Sequence, residues 1–133
     1  MLKRIATIVL AAIVMSPAAA VADDAGLPDL LFKNTLRVEN RFAINDIFFE
    51  PDHTWTSVGV TVARQTSGTW TYGEGSICVT QTNPPQPAQP LKSFCEALAG
   101  KTLGDTWEKM DPRNGLIRTS LVAGRSANPS SRP

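Results

Sequence analysis

The chain has 133 residues, 13 lysines and arginines against 12 aspartates and glutamates, one histidine and two cysteines. That is one domain's worth of sequence with evenly mixed charge, so there is no electrostatic footprint for nucleic acid or an anionic lipid surface, and neither is expected as a partner. The lone histidine and the absence of Cys-x-x-Cys spacing exclude the common metal and haem patterns, and no metal or cofactor is expected.

The first residues read as an export signal. Met1-Leu2-Lys3-Arg4 is a positive leader, Ile5 to Met15 an apolar run, and Ala20-Val21-Ala22 a small-x-small cleavage site before Asp23-Asp24. The run is about half the length that spans a bilayer, so residues 1–22 are expected to be removed and no stable membrane insertion to follow. No cysteine stands near the cut, which argues against lipidation. Of 133 residues, 133 less 22 leaves 111; Lys3 and Arg4 depart with the leader, so 13 less 2 leaves 11 basic against 12 acidic residues and a net charge near −1. Export implies a periplasmic or secreted, oxidising location in which Cys78 and Cys95 pair.

The segment 23–123 reads as one β domain. Asp23 to Asp29 is expected as a loosely packed arm or a single turn leading into Leu30-Leu31-Phe32. Thr35 to Asn40 alternates Leu36 and Val38 with Arg37 and Glu39, the period of a half-buried strand. Ile47-Phe48-Phe49 is a second strand, turned by Glu50-Pro51-Asp52-His53-Thr54.

Trp55 to Arg64 alternates Val58, Val60 and Val62 with smaller residues and reads as the returning strand, with Gly59 as a bulge or close approach. Gln65-Thr66-Ser67-Gly68 is expected to turn. Thr69 to Tyr72 then places Trp70 and Tyr72 on one face, and Gly73-Glu74-Gly75 turns the chain into Ile77-Cys78-Val79-Thr80. Asn83 to Pro90, with Pro84, Pro85, Pro87 and Pro90, is a semi-extended exposed loop, since proline cannot donate to a ladder.

Lys92 to Leu98 fits a strand or a helical turn. Lys101 to Lys109 reads as a strand with Leu103, Asp105 and Trp107 on one face, and Met110 to Gly115 is a turn ending in Asn-Gly. Leu116 to Ala123 is the last strand, and residues 124–133 a disordered tail. Seven or so short strands with turns about every ten residues give an all-β fold, a small antiparallel meander closing into a barrel or strongly coiled sheet with one disulfide.

No catalytic residue is assigned. The aromatic group Trp55, Trp70, Tyr72 and Trp107 is either core or a stacking platform at the barrel mouth, with Asp105 as its polar neighbour. The prolines 84, 85, 87 and 90 form a second contact surface, preorganised by the disulfide. Three functions follow: an exported non-enzymatic binding module contacting an unidentified protein or small molecule through its turns and mouth, a small hydrolase using paired carboxylates such as Asp52 and Asp105, or an inhibitor presenting the 83–90 loop to a secreted enzyme.

Asn34-Thr35-Leu36, Phe49-Glu50-Pro51-Asp52-His53-Thr54, Gly68-Thr69-Trp70 and the Ile77-Cys78 and Phe94-Cys95 pairs, taken in order, resemble a group of small secreted proteobacterial β proteins of unknown function. His53 stands where that group more often has glycine, which leaves the turn type open. The resemblance runs from about Asn34 to Leu121. It implies an exported, disulfide-bonded, lipocalin-like sheet and brings no catalytic residues.

Overall fold

The computed structural model describes residues 26–61 and 63–125. A short helix α1 (Gly26–Phe32) precedes eight strands: β1 (Thr35–Glu39), β2 (Ile44–Phe49), β3 (Thr54–Gly59), β4 (Gln65–Gly73), β5 (Ser76–Asn83), β6 (Ser93–Ala97), β7 (Thr106–Asp111) and β8 (Gly115–Val122). They form one sheet in the order β6-β5-β4-β3-β2-β1-β8-β7, antiparallel at every step. This is an up-and-down meander in which β8 returns beside β1. The sheet curls into a half-barrel, and its edge strands β6 and β7 are joined by side chains: Trp107 Nε1 donates to Glu96 Oε1 at 2.6 Å, and Lys109 Nζ donates to the Cys95 carbonyl at 2.7 Å.

The register carries one alternating set of side chains to the inner face. Leu36 stands opposite Ile47 and Leu121, Phe49 opposite Trp55, Trp70 opposite Val79, and Ile77 opposite Glu96. The core is made of these residues with Val38 and Ile117. The outer set pairs by charge: Arg37 opposes Asp46 and holds it through two N–H donors at 2.7 and 3.0 Å, and Glu108 opposes Arg118. Opposite charges at directly facing positions add to sheet stability and pin the register.

Cys78 and Cys95 face one another across β5 and β6 and form a disulfide. That pairing makes Lys92 to Leu98 a strand. A disulfide is consistent with an oxidising compartment.

Several elements differ from the sequence expectation. The segment expected to pack loosely contains α1, whose Leu31 is fully buried with Phe32 packed on the core. It plugs one end of the barrel, where an apolar helix face covers side chains that the strands alone leave open. The β3 strand stops at Gly59. Gly59 N–H donates to Arg64 O at 2.9 Å and Val60 N–H to Ile44 O at 2.8 Å, so Arg64 already stands back against the end of β3. Residues 65–68 are therefore the start of β4 and not a turn. Gly68 sits there because a Cβ would lie 1.8 Å from the Thr80 carbonyl oxygen, a close backbone approach at an irregularity in the β4–β5 register. Lys101 to Asp105 is a loop rather than a strand, with Asp105 accepting the Thr102 N–H at 2.9 Å.

The Glu74-Gly75 pair, both at positive φ, makes the two-residue hairpin that Gly73-Glu74-Gly75 suggested. Gly124 is tied to the fold by Asn34 Oδ1 and Thr35 Oγ1, and Arg125 pairs with Glu50. The leader and the rest of the expected tail lie outside the described residues.

Candidate functional site

In an up-and-down sheet, alternate connections gather at opposite ends. The connections at 50–53, 74–75 and 98–105 share one end with α1. Those at 40–43, 60–64, 84–92 and 112–114 share the other, which no helix covers among the described residues. There the inner face opens into a cup of about 500 Å³.

The floor of the cup is apolar: Val38, Ile47, Trp55, Val79, Phe94 and Ile117. Each is the inward residue of a different strand, which is why they converge. Above them, Asn45, Ser57, Thr66 and Gln81 place amides and hydroxyls on the wall, and Asn40, Phe42, Arg64 and Asn114 form the rim. A concave apolar site with a few polar groups is the usual form of a small-molecule pocket.

Trp55 is held with its ring in place. Its indole N–H donates to Thr69 O at 2.9 Å and to Thr80 O at 3.3 Å, across β4 and onto β5. The glycine opposite, Gly68, leaves the Thr80 carbonyl open to that donor. With the polar edge satisfied, the ring serves the cup as apolar surface.

The other aromatic residues are placed elsewhere. Trp70 is buried near α1, donates its indole N–H to Glu50 O at 3.0 Å, and stacks on His53 with ring centroids 4.2 Å apart. Tyr72 lies beside it, and together with Phe32 and His53 they line a groove of about 460 Å³ on the plugged end. Trp107 is half-buried at the β6–β7 seam. The four aromatic residues are thus not one platform: Trp55 belongs to the cup, Trp70 and Tyr72 to the opposite end, and Trp107 to the seam.

The acidic candidates cap turns. Asp52 accepts the N–H and the hydroxyl of Thr54, and these bonds hold its carboxyl below the usual range. Asp105 caps the neighbouring loop through Thr102. They stand in different loops, each with a local partner.

The proline loop lies at the cup end, and Pro84, Pro85, Pro87 and Pro90 are all exposed. Gln86 braces it from within, donating to Gln81 O and Lys92 O at 3.0 Å each and accepting from Lys92 N–H at 2.9 Å.

Composition alone does not single out Asn45, Ser57, Thr66 or Gln81, because small polar residues in strands are commonplace. Strand parity finds three of them, since Asn45 alternates with Ile47, Ser57 with Trp55 and Gln81 with Val79, whereas Thr66 and Phe94 are placed by their cross-strand partners Ser57 and Val79. Among the described residues no group of three His, Cys, Asp or Glu side chains is arranged to hold a metal ion. A search of protein-family models, curated proteins and solved structures finds no match to the chain.

Proposed function

We propose that this protein is an exported binding module whose site is the open cup, and that it takes a small, largely apolar molecule with a polar end. The observation that carries this is the asymmetry of the barrel: α1 packs into one end, while at the other Trp55 and five further apolar side chains line a concave cavity beneath a polar wall. Cleavage after Ala22 and a periplasmic or secreted destination belong to the same reading and are supported by the leader pattern and the disulfide.

The test is a fluorescence titration of the disulfide-bonded protein with 1-anilinonaphthalene-8-sulfonate. Saturable binding of one probe per chain is expected, with the signal abolished by Thr66→Phe, which fills the cup from its wall. Probe binding unchanged in that variant, with the fold intact by circular dichroism, overturns the reading.

A second reading, inhibition of a secreted enzyme by the proline loop, draws on the bracing of that loop by Gln86 and the disulfide in the strands that carry it. Its test is alanine replacement of Pro84, Pro85, Pro87 and Pro90 in the presence of a captured enzyme. The reading requires affinity to fall while the fold is retained.

A further inference from the structure

The near-zero net charge conceals a division between the two ends. The four loops at the cup end contain four charged residues, Arg41, Arg64, Lys92 and Arg113, and all are basic. The plugged end carries both signs: Glu50, Asp52, Glu74 and Asp105 stand with Lys33, Lys101 and Arg125 around it, and Asp29 lies on α1. Two carboxylates end strands next to the basic loops: Glu39 stands opposite Arg118, whose guanidinium is held by Glu108, and Asp111 accepts the N–H groups of Arg113 and Asn114 at 2.8 Å each.

Exposed apolar side chains divide in the same way. Phe42 is 66% exposed, and Val60, Leu91, Met110 and Leu116 are also exposed; all lie in the cup-end loops or the strand ends beside them. Among the described residues only Leu103 is a comparable exposure at the plugged end. Arg41 lies over the Phe42 ring at 4.6 Å, so charge and apolar surface share one place.

A solvent-facing end has no physical reason to collect both features. An apolar rim ringed by cations fits a surface whose outer layer is anionic and whose next layer is hydrocarbon. We propose that the cup end docks peripherally on an anionic lipid bilayer, with Phe42 and Leu91 entering the headgroup boundary and Arg41, Arg64, Lys92 and Arg113 on the phosphates. Nothing in this requires a spanning segment. It does not rest on the cup being occupied, although a cup opening onto a bilayer is placed to receive a molecule from it.

The experiment is flotation of the protein with vesicles of phosphatidylcholine and phosphatidylglycerol at about 70 to 30, and with phosphatidylcholine alone. Binding is expected only to the anionic vesicles and is expected to fall sharply between 50 and 500 mM salt, as screening shortens the reach of the charges. Each of Arg41→Gln, Arg64→Gln and Arg113→Gln should weaken it about fivefold, and Phe42→Ser about tenfold or more. The pair Lys101→Gln with Leu103→Ser, on the plugged end, should leave it unchanged. Equal binding to both vesicle types, no binding to either, or an equal loss in the plugged-end pair overturns the proposal. The cup reading is separable, because anilinonaphthalene-sulfonate binding without vesicle binding sinks only the docking surface.

Discussion

Trp107 donates its indole N–H to Glu96 at 2.6 Å, and through this contact the two edge strands of the sheet are held together. Glu96 is 2% exposed, and its other oxygen takes Lys109 Nζ at 2.9 Å and the Thr119 hydroxyl at 3.2 Å. A buried carboxylate with three donors is stable in place and costly to disturb, because removal leaves the donors unpaired. Glu96→Ala should cost about 3 kcal/mol in chemical denaturation, and Trp107→Phe about 1 kcal/mol. If Glu96→Ala costs less than the Trp107 change, the seam is held by something else.

Reduction of Cys78–Cys95 acts on the same region. The bond spans 17 residues, for which chain-entropy reasoning gives about 3 kcal/mol. Because it joins the two strands that carry the proline loop, hydrogen exchange after reduction should rise first at residues 83–92. Uniform exchange across the sheet would count against this local role.

His53 is at φ 66°, a left-handed conformation that favours glycine. Its ring compensates by stacking on Trp70, and Nδ1 lies 3.2 Å from Trp70 O. His53→Ala keeps the backbone strain and loses the stack, so it should destabilise by about 1 kcal/mol. His53→Gly relieves the strain while losing the stack and should fall within about 1 kcal/mol of wild type. Thermal denaturation of the two variants separates these effects, since without the backbone term alanine and glycine would behave alike.

Acid should weaken the fold through its turns. The Asp52 carboxyl is lowered chiefly by the Thr54 hydroxyl, and that of Asp111 by the backbone N–H of Asn114 and then of Arg113. A folded-state value below the unfolded one means stability that is present above the ordinary value of 3.8 and lost as pH falls below it. Asp111→Asn should flatten the pH dependence of stability in that window and lower stability at neutrality, where the ionised carboxylate makes its full contribution. An unchanged acid limb would show that other carboxylates dominate.

Most of the architecture was legible because strands in a half-buried sheet alternate: Leu36 with Val38, and Trp70 with Tyr72, announce an inner face. The failures have local causes. Val58, Val60 and Val62 continue the alternation beyond the real strand, and the β3 end at Gly59 is set by bonds to Arg64 and Ile44 that no pattern within one strand reveals. Gly68 looked like turn chemistry, while its role is a backbone approach to Thr80 made by a different strand. Asp105 and Trp107 do not share a strand face, because Gly104, at positive φ, lies in the loop before β7 begins at Thr106. In Lys92 to Leu98 the strand alternative holds, and the parity of Glu96 with Phe94 puts its carboxylate on the inner face. The polarity between the two ends was available all along in the loops, once even and odd connections are sorted apart; net charge averages it away.

The proposed binding site is the open end of the barrel rather than the helix-plugged end. The most direct measurement is a 1H–15N correlation spectrum of the disulfide-bonded protein titrated with 1-anilinonaphthalene-8-sulfonate. Saturable shifts are expected at the Trp55 indole and at the backbone of Val38, Ile47, Ser57, Thr66, Val79 and Ile117, with Trp70 and His53 unmoved. Shifts confined to Phe32, His53, Trp70 and Tyr72 would contradict it and move the site to the groove beside α1.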